Sequence, residues 1–143
     1  MQLSFSYKVD DINAAAEWVR LQAGDTRVWL FIGEMGAGKT TLIKAICQQL
    51  GTTDDLSSPT YALVNQYDIP GSSTRIYHLD LYRLRSTEEA LDIGIEDYLL
   101  GGDYCLIEWP QLIEPLLREG EYITIHISPL SEYERNISIF RET

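Results

Sequence analysis

Lysine is scarce in this 143-residue chain: Lys8, Lys39 and Lys44 are the only three. With 22 acidic residues against 11 lysines and arginines, the formal net charge is −11. Each phosphate of a nucleic-acid backbone calls for a cationic partner, so this balance argues against a large RNA or DNA footprint. It predicts no strong direct nucleic-acid binding by the isolated chain, and an acidic surface suits a more basic partner. Long hydrophobic runs are missing too. No stretch of about 18 apolar residues occurs, so no membrane-spanning helix is predicted. The N-terminal residues Met1-Gln2-Leu3-Ser4-Phe5 lack the basic region and long apolar stretch of a signal peptide, which places the chain in the cytoplasm. Only two cysteines occur, Cys47 and Cys105. They fall within a predicted helix and a predicted strand, without metal-ligand spacing, and read as buried free thiols rather than a disulfide. There are no repeats, low-complexity tracts or internal linkers, so residues 1–143 are expected to form a single domain.

What the chain does carry is one glycine-rich stretch with its flanks intact. Gly33-Glu34-Met35-Gly36-Ala37-Gly38-Lys39-Thr40 matches the phosphate-binding pattern G-x-x-x-x-G-K-[ST] at every position. Before it, Val28-Trp29-Leu30-Phe31-Ile32 is a continuous apolar run, the signature of a buried parallel strand. After it, Leu42, Ile43, Ile46 and Leu50 recur at helical spacing, and Gly51 stands where a helix would stop. Glycines let backbone N–H groups turn inward around phosphate oxygens, and a helix N-terminus adds its positive dipole end. In such a loop Lys39 reaches the β/γ-phosphates and the Thr40 hydroxyl binds Mg²⁺. The expected cofactors are therefore ATP or a related nucleotide, with Mg²⁺.

The remaining elements follow from pattern. Ser4 to Val9 reads as an edge strand. Asp10 or Asp11 is placed to cap a helix whose apolar face is Ile12, Ala15, Ala16 and Val19. The segments 61–67 and 75–80 are rich in strand formers and are separated by Pro70-Gly71-Ser72-Ser73. They predict an antiparallel hairpin and hence a mixed sheet. Ser86-Thr87-Glu88-Glu89 is a capping box that starts a helical segment running towards Leu100, interrupted at Gly94. Residues 104–107 form a second buried strand. Gln111 to Arg118 reads as helical, limited by Pro115, and strands 122–128 and 135–141 close the chain. The fold class expected is a P-loop NTPase-like three-layer α/β sandwich with a mixed, partly antiparallel sheet.

Hydrolysis needs more than a loop: a carboxylate to hold the metal and a group to order the attacking water. Acids at the C-terminal ends of buried strands supply these, because open α/β sheets bind ligands there. Glu108 and Asp80 stand at such positions. Thr60, after the turn 57–59, either brings a hydroxyl to the γ-phosphate or is a turn residue entering the next strand. His78 shares a strand face with Asp80 and is read first as a packed or exposed strand histidine, with support of the metal site as the alternative. His126 is read as surface. Trp109 is a core-edge residue, an interface residue or an adenine contact.

Together these residues carry a family resemblance. Gly33 to Thr41, Ser58-Pro59-Thr60-Tyr61, Tyr77-His78-Leu79-Asp80-Leu81-Tyr82-Arg83, Gly94-Ile95-Glu96-Asp97-Tyr98 and Leu106-Ile107-Glu108-Trp109-Pro110 occur in this order. The chain thereby resembles the TsaE (YjeE) family, small ATPases of bacterial tRNA threonylcarbamoyladenosine biosynthesis, over about residues 5–140. The resemblance implies ATP binding and hydrolysis in support of the modification of adenosine 37 in tRNAs reading ANN codons. It also implies work with a TsaD–TsaB complex after TsaC has made the threonylcarbamoyl-adenylate. Carried over by motif, the loop residues Gly33, Glu34, Met35, Gly36, Ala37, Gly38, Lys39, Thr40 and Thr41 bind nucleotide. Thr40, Asp80 and Glu108 serve the metal and water. Thr60 and Trp109 match further family positions, and Arg135 resembles an arginine near the nucleotide.

Rival readings fit less well. A small-molecule P-loop kinase closes an arginine-bearing lid over the phosphates, and no lid-sized insertion is present. A GTPase would need an N/T-K-x-D segment after the loop, and the only lysine beyond it is Lys44, within the predicted helix. A slow nucleotide-dependent binding switch differs from an ATPase only in turnover rate.

Overall fold

The computed structural model describes residues 2–56 and 63–141. Seven strands form one sheet: β1 (Gln2–Lys8), β2 (Val28–Ile32), β3 (Val64–Asp68), β4 (Arg75–Asp80), β5 (Tyr104–Glu108), β6 (Tyr122–Pro129) and β7 (Glu134–Phe140). Their spatial order is β1-β7-β6-β2-β5-β4-β3. The central strands β6, β2, β5 and β4 run parallel, while β7 and β3 pair antiparallel with their neighbours and β1 closes the far edge against β7. This is the mixed, partly antiparallel sheet that the hairpin signal at 61–80 implies.

Helices cover both faces, giving three layers. Helices α1 (Ile12–Ala23) and α2 (Lys39–Leu50) pack on one side, against Trp29, Phe31, Ile76, Leu106 and the Ile123-Ile125-Ile127 stripe. Helices α3 (Thr87–Asp92) and α4 (Ile95–Leu100) cover the other, against Val28, Leu30, Leu79, Cys105 and Ile107. Strand β2 alternates between these two cores, which is why it reads as an unbroken apolar run: both of its faces are dry. Among the described residues, no helix is long and apolar enough to cross a membrane.

Most local signals act as the chemistry requires. Gly51 ends α2 in the left-handed conformation, φ 111°, where a Cβ is unfavourable. Ser86 accepts a hydrogen bond from the Glu89 N–H at 3.2 Å, and Gly94, φ 80°, divides α3 from α4. Both cysteines are buried and free. Three expectations change. Val9–Asp11 forms a single 3-10 turn ahead of α1, and neither Asp10 nor Asp11 caps with its side chain, because the turn carries the chain into the helix through backbone geometry. The helical segment after β5 is a 3-10 turn, Pro110–Leu116, not an α-helix reaching Arg118. Pro115 inside it removes a backbone donor and clashes with a preceding carbonyl, so only a short tight helix survives. His126 is half-buried, its ring 4.9 Å from and edge-on to Phe140, rather than a free surface residue.

Candidate nucleotide site

The loop 33–38 joins the C-terminal end of β2 to the start of α2. Gly36 (φ 79°) and Gly38 (φ 104°) adopt left-handed backbone conformations that L side chains rarely take. Gly33 is required for a different reason: a Cβ there would meet the Ile127 carbonyl oxygen of β6 at 2.7 Å. Gly38 caps α2 without a side-chain oxygen, so the N–H groups of the first helical turn remain available to an anion.

Lys39 is only 5% exposed. Its ammonium donates to the Gly33 carbonyl at 2.6 Å and sits 3.6 Å from the centroid of the Trp109 ring. Burial pushes its pKa below the usual lysine value, while the carboxylates of Glu108 and Asp80 pull it back up. Trp109 has φ 57° and, among the described residues, is the one non-glycine residue in the left-handed region. That backbone kink after β5 turns the indole back over Lys39 and against Tyr82, 5.0 Å away. The ring therefore covers the Lys39 end of the cleft.

The acids arrive through strand pairing. Strands β4 and β5 are parallel with Asp80 opposite Glu108 and His78 opposite Leu106. His78, Asp80 and Glu108 therefore project from one face of the sheet, the face that carries α2. Glu108 is 4% exposed. Its Oε1 accepts from Thr40 Oγ1 at 3.1 Å, and its Oε2 lies 2.7 Å from His78 Nε2. Asp80 is half-buried and accepts from the Tyr82 N–H at 3.1 Å. Arg135, on β7, reaches the loop from behind: its Nε donates to the Ala37 carbonyl at 3.2 Å, and its Nη1 donates to the Ser131 and Glu134 carbonyls.

A cleft of about 280 Å³ opens where these groups meet, lined by Met35, Gly36, Gly38, Lys39, Thr40, Thr41, Asp80, Tyr82, Glu108 and Trp109. A larger hollow of about 800 Å³ lies at the other ends of the parallel strands, beside Arg27, Asp103 and Glu121. Size does not select between them. Ligands of open α/β sheets bind at the carboxyl ends of the strands, where only the smaller cleft has a glycine loop, a helix start and paired acids.

Every expected site residue but Thr60 thus has a place. Lys39, Thr40, Asp80, Glu108 and Trp109 converge. Arg135 touches the loop's backbone, Ala37 is buried beneath it, and Glu34 is exposed outside the cleft. Thr60 lies outside the described residues. Sequence reasoning undervalued His78, which is packed and also bonded to Glu108, and overlooked Tyr82. The alternation of His78 with Asp80 was the available signal.

The donor set suits a nucleotide with Mg²⁺. Among the described residues no three His, Cys, Asp or Glu side chains cluster as a self-sufficient metal cage. Mg²⁺ does not need one: it is held by one or two protein oxygens together with substrate phosphates and water. A hydroxyl beside a strand-end carboxylate, next to a loop with open N–H groups, is such a partial set.

A sequence profile described as "Threonylcarbamoyl adenosine biosynthesis protein TsaE" matches residues 6–137. The chain belongs to the TsaE family. Among curated relatives, the tRNA threonylcarbamoyladenosine biosynthesis protein TsaE of Haemophilus influenzae is 41% identical over 78% of this chain and 68% of its own length. The protein of the same name from Bacillus subtilis is 37% identical over 74% of this chain, a match that spans 64% of that relative and so less than two thirds of it. The Treponema pallidum protein is 36% identical over 75% of this chain and 76% of its own length. Among solved structures, Bacillus subtilis YdiB superposes with a TM-score of 0.75 at 27% identity, covering 100% of this chain and 88% of the other. Family membership accounts for the phosphate loop as part of a nucleotide-binding fold in threonylcarbamoyl adenosine biosynthesis.

Proposed function

We propose that this chain binds ATP with Mg²⁺ and hydrolyses it in the cytoplasm, in support of threonylcarbamoyl transfer to adenosine 37 of tRNAs reading ANN codons, together with a TsaD–TsaB complex. The observation that carries the reading is the meeting of Lys39, Thr40 and Glu108, with Asp80 alongside, at the open start of α2. The loop N–H groups and the α2 terminus hold the phosphates. Lys39 leaves the Gly33 carbonyl and turns its ammonium to the β/γ-phosphates. Thr40 and one of the two carboxylates, Glu108 or Asp80, would hold Mg²⁺, which when bound neutralises charge on the phosphate oxygens. The carboxylate that is not committed to the metal orients the attacking water, and Trp109 and Tyr82 exclude bulk water from that end of the cleft.

The transition-state cation is the missing part. Arg135 is committed to backbone carbonyls behind the loop, and Arg83 and Arg85 are exposed on the segment after β4. In P-loop NTPases a cation supplied in trans raises the rate about 10³–10⁵-fold. Hydrolysis by the isolated chain is therefore slow and rises when the partner docks near the phosphate site. The test is steady-state ATPase activity with increasing TsaD–TsaB, for the parent and for Arg83→Ala. A fast rate that the partner does not change would refute partner control, and absence of hydrolysis with saturating partner would refute the ATPase reading. The net charge of −11 further leads to no tight tRNA binding by the chain alone.

A further inference from the structure

We propose that His78 is a positioning residue that sets the orientation of the Glu108 carboxylate at the phosphate site; the inference rests on the ATPase reading above. Glu108 is buried, and a buried carboxylate must be hydrogen-bonded. Among the described residues two side chains serve it, and they differ in kind. Thr40 bonds both oxygens, Oε1 at 3.1 Å and Oε2 at 3.3 Å, from the exposed first turn of α2. Its hydroxyl is the group the phosphate-loop motif assigns to the metal, so that bond is given up or shared whenever nucleotide arrives.

His78 has no such competing duty. It is 4% exposed, in the middle of β4, between the antiparallel partner Asn65 and the parallel partner Leu106. A carboxylate has no proton to give, so the ring Nε2–H is the donor over the 2.7 Å to Oε2. The backbone of two paired strands thus holds the imidazole in place. The last torsion of a glutamate is broad and roughly two-fold, and one fixed donor on Oε2 is what keeps Oε1 facing Thr40 and the cleft. Groups that orient a metal-binding carboxylate act this way, and their loss typically costs about 10–100-fold in affinity or activity.

A purely structural histidine would satisfy the same burial, so the test must separate the two. His78→Gln retains an N–H donor near the position of Nε2, and His78→Phe keeps bulk without a donor; His78→Leu replaces the latter if it does not fold. Measured with saturating TsaD–TsaB, His78→Phe is expected to lower kcat about 10–100-fold and leave ATP affinity within about twofold. His78→Gln should recover most of the loss. In a Glu108→Ala background, His78→Phe should cause no further fall, because the group it positions is gone. Equal activity of the Phe and Gln variants, a fall in affinity instead of kcat, or a full additional loss on top of Glu108→Ala would each overturn the proposal. A second readout does not depend on turnover. In a crystal structure of His78→Phe, the Glu108 carboxylate should have swung away from Thr40. If it keeps its place there, His78 is not its positioner, whatever the ATPase assay says. An inactive parent would count against the ATPase reading alone, and the crystal structures would still decide His78.

Discussion

Thr40 and Glu108 are 68 residues apart in the chain, and their side chains meet: Thr40 Oγ1 donates to Glu108 Oε1 over 3.1 Å. The first turn of α2 and the last residue of β5 are thereby joined at the mouth of the loop. Removing the carboxylate should separate binding from chemistry. Glu108→Ala is expected to lower hydrolysis by about 10²–10³-fold, the scale for one preorganised electrostatic group, while ATP affinity falls much less because the loop still holds the phosphates. Asp80→Ala should act in the same direction. Nucleotide titration beside steady-state turnover measures both, and an unchanged rate for Glu108→Ala would remove that acid from the mechanism.

Lys39 should govern phosphate binding with a characteristic pH dependence. Burial lowers its pKa in the nucleotide-free protein from the usual 10.5. Phosphate favours the ammonium, so binding raises that pKa again and takes up a proton where the free lysine is neutral. Affinity should thus be full below the lowered pKa and decline as pH rises through it, before an ordinary lysine would titrate. Titrations from neutral pH to about pH 10 should show this decline. Lys39→Ala should bind weakly, without hydrolysis and without the decline.

Gly33→Ala should be destabilising although alanine is a small residue. Its Cβ would fall 2.7 Å from the Ile127 carbonyl oxygen, a backbone atom that cannot turn aside. Overpacking of this kind costs about 1–3 kcal/mol. Urea unfolding of the two proteins gives the difference directly, and equal midpoints would contradict the close approach of the loop to β6.

The two thiols should be inert in the native protein. Burial pushes Cys47 and Cys105 up to about 12, so almost no thiolate exists at neutral pH. A thiol reagent at neutral pH should leave both unmodified in the folded chain and react with both after denaturation. Rapid native modification of either would show that its surroundings open.

Local signals made the phosphate loop, its flanking strand and helix, the Ser86 cap and the Gly51 and Gly94 breaks legible in advance, because each depends on residues within a few positions of one another. Periodicities of two and 3.6, and the conformational range of glycine, act over that range. Where a local rule misled, a local competitor prevailed: Pro115 turned an expected α-helix into a 3-10 turn.

The sequence alone also determined the candidate chemistry: a loop for phosphate, a hydroxyl for metal and two acids at strand ends. Only the tertiary structure decided how those groups meet. The parallel register of β4 and β5 sets Asp80 beside Glu108 and brings His78 diagonally within reach of the same carboxylate. The left-handed turn at Trp109 folds its indole over Lys39. Arg135, 98 residues from Ala37, closes the back of the loop. Strand register and crossover are set by pairings between segments far apart in the chain, through packing and hydrogen bonds that no local pattern encodes.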